Sequence, residues 1–427
     1  MSSGWFDSFP DGWRSTQLRY VARVFAGGTP DRKRADFWSG GTVPWLNSGS
    51  VNQDVITAPS ELVTELAVAG GATRFVSSKS VVIALAGQGK TKGMAARTEF
   101  RTTLNQSLAA IEPSPALDYR FLHFWLKSNY ANIRHLAGGD LRDGLNLHHI
   151  GGIEVPLPSP SIQRQIADYL DHETAEIDAF IADLGIARAF SQEGLVVQRD
   201  RIFGDYAAAA SVAELRGKIS ESDERAGATA SSADLLTVSI ASGVTPRGEW
   251  TADQHRADDL TKYKVVRVGD IVLNRMRAFQ GAVGVSRNNG ITSPDYAVLR
   301  CDRRTLLPEF AANLLKSPRF VYEITRRLRG IGNEESGQVR TPRVAVADLI
   351  RIPTKVPELE VQQRAVDQWA AEQRLASEVS RDFDAAITLA KERRAALITA
   401  AVTGQIDVTT TQKPAVDGIQ TAIEESR

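Results

Sequence analysis

Cysteine and long apolar runs are what this sequence of 427 residues has least of. A single cysteine, Cys301, excludes an internal disulfide and any zinc site with more than one thiolate ligand. No apolar run approaches the roughly 20 residues that a membrane-spanning helix needs. The opening residues lack the basic and apolar segments of a secretory signal. We therefore expect a cytoplasmic protein with no membrane segment and no metal site.

Net charge is also absent, because 51 basic residues balance 51 acidic ones. The total therefore gives no indication of nucleic-acid binding, but the distribution is uneven. Residues 262–304 hold nine basic and three acidic side chains, whereas residues 162–184 hold one basic and six acidic ones. Because local charge governs phosphate binding, a neutral total is compatible with a basic surface. Ordinary solvated charge is the alternative.

A long, weak internal repeat organises the chain. Residues 153–166 (IEVPLPSPSIQRQI) resemble residues 350–366 (IRIPTKVPELEVQQRAV), and each reads as a short strand, a proline turn and a glutamine–arginine pair that opens a helix. Two further pairs match in the same order, one amphipathic and one strand-like: 121–128 with 310–317, and 81–84 with 271–274. Three ordered matches indicate a duplication.

After each proline turn, apolar residues recur at spacings of three and four. This pattern places a stripe along one helix face, which needs a partner to cover it. The predicted contact positions are Ile162, Ile166, Leu170 and Ile177 in the first helix, and Val379, Phe383, Ile387 and Leu397 in the second. Mutual pairing as an antiparallel coiled coil is the simplest interpretation. Several shorter helices packed in a core are the alternative.

The sequence thus predicts a mixed α/β (α+β) protein with a pseudo-two-fold internal repeat. Two globular domains are separated by two long helices that pair with each other. The expected segments are a first domain at 1–155, a central spacer helix at 156–204, a second domain at 205–355, a C-terminal spacer helix at 356–408 and a loose tail at 409–427.

Several stretches resemble a known family. They are Gly27-Gly-Thr-Pro30, FWSGG at 37–41, PWLNSG at 44–49, NQSLAAI at 105–111, PLPSPSIQRQI at 156–166 and the C-terminal stretch 391–408. In this order they resemble the specificity subunit of Type I restriction–modification systems over nearly the whole chain. The second domain departs most, because Thr245-Pro-Arg-Gly248 stands where a Gly-Thr-Pro opening is expected.

The resemblance implies a non-catalytic subunit. Each globular domain would be a target-recognition domain that reads one half of a bipartite double-stranded DNA target. The two helices would set the spacing and dock two adenine-N6 methyltransferase subunits, to which restriction subunits can be added. No cofactor is expected in this chain, whereas S-adenosylmethionine, ATP and magnesium are expected on the partner subunits.

Base reading in the major groove uses Arg or Lys against guanine and Asn or Gln against adenine. Candidate DNA contacts are therefore sought in loops rich in these residues. The candidates are Lys90, Lys92, Arg97, Arg142, Asn146 and His148 in the first domain, and Asn274, Arg275, Arg277, Gln280, Asn333, Gln338, Arg340 and Arg343 in the second. For any one of them, a phosphate contact or a plain surface position is the alternative.

Three other motifs bear on function. Residues 84–91 (ALAGQGKT) nearly form a phosphate-binding loop, which would suggest a nucleotide hydrolase, but Ala84 replaces the first glycine. Ser293-Pro-Asp-Tyr296 resembles an amino-methyltransferase tetrad, although a sheet strand is the favoured interpretation. The pair His148-His149 has no companion ligand and is expected in a surface loop. A coiled-coil scaffold that does not bind DNA remains a third hypothesis.

Overall fold

The computed structural model describes residue 5 and residues 9–87, 90–136, 144–240, 242–247, 259–326 and 343–408. The chain divides into two compact units, which we call unit 1 (residues 1–184 and 385–427) and unit 2 (residues 185–384). Among the described residues, no helix is both long and apolar enough to cross a membrane.

The described strands of unit 1 are β1 (Arg14–Gln17), β2 (Ala22–Ala26), β3 (Val43–Leu46), β4 (Val55–Ile56), β5 (Glu61–Val63), β6 (Phe75–Val76), β7 (Ser80–Ala84), β8 (Ala95–Thr98), β9 (Thr102–Leu104), β10 (Leu108–Pro113) and β11 (Glu154–Leu157). They form a five-stranded sheet in the order β2-β10-β7-β8-β4, a four-stranded sheet in the order β5-β3-β9-β6, and the pair β1-β11. Every residue of β7, which reads SVVIA, is buried. Such a β-branched run suits a strand at the centre of a covered sheet.

The shorter helices of unit 1 are α1 (Leu18–Val21), α2 (Glu65–Ala69), α3 (Tyr119–Ser128), α4 (Tyr130–His135) and α5 (Leu147–Gly151). Helix α3 covers the five-stranded sheet. Its start is fixed by Asp118, whose side chain accepts hydrogen bonds from the backbone N–H groups of Arg120 and Phe121. Phe121 and Trp125 then pack in one core with Ile83 of β7. The predicted amphipathic helix at 121–128 is confirmed.

A long helix, α6 (Pro160–Ala207), leads from unit 1 into unit 2. The described strands of unit 2 are β12 (Val212–Ala213), β13 (Ile219–Ser222), β14 (Leu236–Ser239), β15 (Gly243–Pro246), β16 (Lys264–Val266), β17 (Ile271–Asn274), β18 (Val283–Val285), β19 (Gly290–Thr292), β20 (Tyr296–Cys301) and β21 (Thr354–Lys355). Its main sheet has the order β13-β20-β17-β18, and three two-stranded pairs accompany it, β12-β21, β14-β15 and β16-β19. The helices that follow are α7 (Pro308–Lys316), α8 (Pro318–Thr325), α9 (Val346–Leu349) and α10 (Leu359–Val402).

The internal duplication is confirmed by the topology of the two units. In unit 1, β10 lies between β2 and β7, and in unit 2, β20 lies between β13 and β17. All four of these pairings are antiparallel. Both central strands lead into a helix, α3 and α7 respectively, and both units close with a short strand pair before a long helix begins.

The two long helices pair antiparallel, as the sequence predicts. In unit 2, Arg188 contacts Asp384 at 3.0 Å, and Gln198 donates a hydrogen bond to Glu372 at 3.5 Å. The residue number rises on α6 as it falls on α10. The helices have 48 and 44 residues, which corresponds to about 72 and 66 Å at the usual rise. The predicted limits of the two domains, residues 155 and 355, fall within β11 and at the last residue of β21.

A buried glutamine fastens each long helix to its domain. Gln163 donates hydrogen bonds to the carbonyl oxygens of Ala116 (2.9 Å) and Pro158 (2.8 Å), and its own carbonyl accepts one from the N–H of Asp118 (2.8 Å). Its side chain is completely buried. All three groups lie at turns, where the backbone has no helix or sheet partner for them.

Unit 2 repeats this arrangement residue by residue. Gln362, also completely buried, donates to the carbonyl oxygens of Thr305 (3.0 Å) and Pro357 (2.7 Å) and accepts from the N–H of Leu307 (2.9 Å). We call the two arrangements the glutamine clamps. They set the residue equivalence between the units, with an offset of 189 for the domain helices (Asp118 with Leu307) and 199 for the long helices (Gln163 with Gln362).

A cluster of charges holds the last turns of α10 in unit 1. Arg394 bonds to Asp178 of α6 at 2.9 Å and to Asp54 at 2.7 Å, and Asp54 also pairs with Lys127 of α3. Positive neighbours lower the pKa of Asp54 although burial opposes them, whereas burial lowers the pKa of Lys127. His123 lies buried beside this cluster.

We expect Gln163→Ala to lower the free energy of unfolding of unit 1 by about 3 kcal/mol, because it leaves buried backbone groups without partners. Gln362→Ala should do the same in unit 2. Urea unfolding of the full chain measures both effects. The matched controls are Gln165→Ala and Gln363→Ala, which change exposed neighbours. A loss no larger than that of the controls would contradict the clamp.

The stability of unit 1 should depend on pH through His123. Burial, together with the charge of Lys127, lowers the pKa of His123 to about 3. Below a pH of about 6.5, His123 binds a proton in the unfolded chain but not in the folded chain. The free energy of unfolding therefore falls as the pH falls. We expect a loss of about 2 kcal/mol between pH 6.5 and 5. His123→Leu should remove this pH dependence of the free energy of unfolding, as measured by urea unfolding. An unchanged pH dependence would show that His123 is not its cause.

Candidate nucleic-acid interface

In unit 1, three loops meet at the edge of the main sheet where β7 ends and β10 begins. The backbone N–H of Leu85 donates to the carbonyl of Ser107 at 2.8 Å, and the N–H of Leu145 donates to the carbonyl of Leu85 at 2.7 Å. We call this surface the loop edge of unit 1, comprising the described residues 85–87, 90–94, 105–107 and 144–148.

Unit 2 has an equivalent surface at the same end of its sheet. The N–H of Val344 donates to the carbonyl of Arg275 at 3.1 Å, as Leu145 does to Leu85 in unit 1. Arg343 pairs with Asp295 at 3.1 Å, which joins the segment before α9 to the turn before β20. We call residues 275–281, 293–295 and 343–345 the loop edge of unit 2.

Three of the predicted DNA contacts are exposed at the loop edge of unit 1: Lys90, Asn146 and His148. Asn146 also caps α5, because its side-chain oxygen accepts a hydrogen bond from the N–H of His149 at 2.9 Å. The carbonyl of Lys90 accepts a hydrogen bond from the hydroxyl of Tyr130, which anchors the loop below the exposed ammonium group. The expectation of a surface position for His148 is confirmed.

In unit 2, Arg277 and Gln280 are exposed on the loop between β17 and β18. Contacts within the loop itself fix its backbone. The side chain of Asn274 accepts a hydrogen bond from the N–H of Met276 at 3.0 Å, and Gly281 adopts a left-handed conformation at φ 82°. The backbone that carries the two exposed side chains is therefore fixed at both ends.

Four predicted contacts point inward instead. Lys92 and Asn274 are buried, with 5% and 7% of their surface exposed. Arg97 bonds to Asp171 of α6 at 2.7 Å, and Arg275 pairs with Glu221. These four side chains have contacts within the protein, and their contact with DNA stays a prediction. The acidic partners of Arg97 and Arg275 are distant in sequence, so no local pattern identified them.

Four further candidates, Arg142, Asn333, Gln338 and Arg340, lie outside the described residues. The structure adds one residue that the sequence interpretation missed, Gln106. Its side chain is exposed at the loop edge of unit 1, where it accepts a hydrogen bond from the hydroxyl of Thr29. Its residue type was a signal, but the stretch 105–111 was noted only for its family resemblance.

The predicted helix contacts mostly face the protein's own interior. Ile166, Leu170 and Ile177 of α6 are at most 9% exposed. Ile166 and Leu170 belong to the core of unit 1, against which Ile162 and Leu397 also pack. Val379, Phe383 and Ile387 of α10 are half-buried. The apolar stripe therefore packs within the protein, as the seam of the helix pair and in the core of unit 1.

The near phosphate loop does not have the structure that this motif requires. A phosphate-binding loop leads from a strand into a helix, whose N-terminus faces the phosphates. Here the loop joins β7 to the antiparallel strand β8, with Gly93 donating to the carbonyl of Ala84 at 2.9 Å. The hydrolase hypothesis is therefore wrong. Ser293–Asp295 form the turn before β20 and Tyr296 is the first residue of that strand, so the strand interpretation of the tetrad holds for its last residue alone. Within the described ranges, no group of three or more His, Cys, Asp or Glu side chains could hold a metal ion.

Residues 10–181 match the family model described as the Type I restriction modification DNA specificity domain. The chain is 23% identical over 171 residues to the Type I restriction enzyme EcoR124I/EcoR124II specificity subunit of Escherichia coli, covering 38% of this chain and 42% of that one. It is also 23% identical over 168 residues to the MjaIX specificity subunit of Methanocaldococcus jannaschii, covering 38% of each. The matches thus span about two fifths of these relatives.

Similarity among solved structures extends over almost the whole fold. One similar chain comes from a study of complex assembly and conformational transition of the type I R-M system, with a TM-score of 0.62, 16% identity, and coverage of 93% of this chain and all of that one. Another is the HsdS subunit from Thermoanaerobacter tengcongensis, with a TM-score of 0.53, 16% identity, and coverage of 95% and 100%. At this identity the likeness establishes the fold.

If the loop edges contact DNA, Arg277→Ala should weaken binding to the cognate sequence by about 1–3 kcal/mol without altering thermal stability. The matched control is Arg304→Ala, an arginine with 89% of its side chain exposed in the turn after β20, at the other end of that strand. Fluorescence anisotropy at fixed salt measures both. Equal affinities for the two variants would contradict the loop edge of unit 2 as a DNA surface.

Proposed function

We propose that this chain, whose residues 10–181 belong to the Type I restriction modification DNA specificity domain family, is the DNA-recognition subunit of a Type I restriction–modification complex. One observation carries the proposal: two units of the same topology each present a loop edge at the same end of the main sheet. A pair of equivalent surfaces suits a bipartite target in double-stranded DNA, with one half-site for each unit.

The side chains at the two loop edges differ, which fits two different half-sites. Unit 1 offers Lys90, Gln106, Asn146 and His148, in which amides of the adenine-reading type are prominent. Unit 2 offers Arg277, Gln280 and Arg343, in which arginines of the guanine-reading type are prominent. The main sheets and helices that the two units share would therefore orient each loop edge towards DNA in the same manner. The side chains of the loops would set the base preference.

The chemistry of such a complex would be supplied by other subunits. Two adenine-N6 methyltransferase subunits would bring S-adenosylmethionine, and restriction subunits, where present, would bring ATP and magnesium. The chain itself would have no catalytic residue and would act in the cytoplasm, where its DNA substrate lies. This division of labour is the one that the family resemblance implies.

A surface on α6 supports the docking of a partner. Ile186, Phe190 and Val197 lie on α6 within unit 2 and are 55%, 68% and 69% exposed. We call them the outer face of α6. Large apolar side chains grouped on one exposed helix segment are typical of a protein–protein interface. Because the seam residues are used within the helix pair, this outer face replaces them as the proposed contact for a methyltransferase subunit.

The proposal is tested by expressing the chain with its methyltransferase partner and mapping N6-methyladenine across the host genome. We expect methylation within one discontinuous sequence made of two half-sites. Arg277→Ala should relax the preference at positions of one half-site and leave the other unchanged, whereas Arg304→Ala should reproduce the wild-type map. Methylation without sequence preference, or no methylation although the subunits assemble, would refute the proposed function.

A further inference from the structure

The described residues of unit 2 form an apolar pocket. The cavity measures about 200 Å³ and lies where the end of α6 meets α7, α8 and β21. Its apolar lining includes Phe203, Leu314, Phe320, Ile352 and Pro353. A cavity of about 150 Å³ with similar walls is large enough for a benzene ring. We call it the unit 2 pocket.

The glutamine clamps identify the matching place in unit 1. With an offset of 189 for the domain helices, Leu314 corresponds to Trp125 of α3. With an offset of 199 for the long helices, Phe203 corresponds to Val402 of α10. Trp125 and Val402 are both part of the core of unit 1. The two places are therefore built from equivalent elements.

In unit 1 this place is covered by the chain's own N-terminal segment. The ring of Phe9 lies 5.9 Å from that of Trp125 and stacks on Trp13 at 6.3 Å. Pro10 lies so close to Gly404 that a Cβ on that glycine would come within 2.4 Å of it. An aromatic–proline segment thus closes the end of the helix and the core beneath it.

Among the described residues of unit 2, no segment of this kind lies at the corresponding point. From the end of α6 at Ala207 to the start of β12 at Val212, the chain has only four residues, Ala-Ala-Ala-Ser. None of them has a side chain that could fill the pocket. Equivalent elements therefore carry an aromatic cover in unit 1 and line an open pocket in unit 2.

We propose that the unit 2 pocket receives an aromatic side chain from the methyltransferase subunit. The identity of this partner rests on the proposed function. The chemistry rests on unit 1, in which an aromatic ring next to a proline occupies the equivalent place. The pocket also continues the outer face of α6, because Gly204 in its wall follows Phe190 and Val197 at intervals of seven residues.

The charges that line the pocket are balanced. Arg319 and Lys355 line it together with Asp200 and Glu323, and Lys316 lies beside it, with its carbonyl bonded to Arg199 at 3.2 Å. The lining charges therefore favour neither sign on the incoming segment, and the aromatic side chain carries the recognition.

Gly204→Leu offers a test that fills the pocket without damaging the fold. A Cβ at this position would meet no atom within 4 Å, and leucine favours a helix more than glycine does. Gly185→Leu is the matched control, since it places the same side chain at another open glycine of α6. Isothermal titration of the methyltransferase subunit into each full-length variant measures the affinity.

We expect Gly204→Leu to weaken the binding of the methyltransferase subunit that contacts unit 2 at least 30-fold, the loss typical of a buried aromatic anchor. The other of the two proposed methyltransferase subunits should bind as before. Gly185→Leu should bind as the wild type does, and both variants should keep wild-type affinity for cognate DNA. Unchanged methyltransferase affinity in Gly204→Leu would overturn the inference while leaving the proposed function in place.

A second probe separates the pocket from the partner's identity. A labelled synthetic peptide with the sequence of residues 4–13 should bind the wild-type chain in fluorescence anisotropy and should not bind Gly204→Leu. Absence of peptide binding to the wild type, or equal binding to both, would overturn the proposed chemistry of the pocket. If the methyltransferase fails to bind the wild type whereas the peptide distinguishes the variants, the proposed function fails and an aromatic-binding pocket stands.

Discussion

The rest of this structure depends on one buried side chain in each unit, the glutamine of the clamp. A long helix that begins just after a proline turn has free backbone groups at its start, and so does the loop before the domain helix. Gln163 and Gln362 satisfy groups from both sides at once. The direction in which each long helix leaves its domain is thereby fixed by hydrogen bonds as well as by packing.

Many of the strands and helices were predictable because local sequence patterns encode them. The buried strands β7 and β17, the helices α3 and α7 and the limits of α6 and α10 all follow from periodicity and from the proline turns. The antiparallel pairing of the long helices followed from their apolar stripes. The clamp glutamines also belong to the sequence repeat. Their hydrogen bonds could not be predicted, because the backbone groups that they bind before α3 and α7 are distant in sequence.

The loop edges were less predictable, because exposure is decided by partners far away in the chain. Arg97 and Arg277 are the same residue type, but Asp171 holds the first inside unit 1 and the second reaches solvent. Gln106 was missed because its stretch was noted only for its family resemblance. The apolar stripe was located correctly as the pairing face of the two long helices, but spacing alone did not show that part of it also packs in the core of unit 1.

The central claim is that the two loop edges read different half-sites of one DNA target. Since Cys301 is the only native cysteine, cysteines introduced at Asn146 and Gln280 in a Cys301→Ala background can each carry a photo-activated crosslinker. Position 146 should crosslink to bases of one half-site and position 280 to bases of the other, on the same cognate duplex. Crosslinks from both positions to the same half-site, or equal crosslinking to unrelated DNA, would contradict the account.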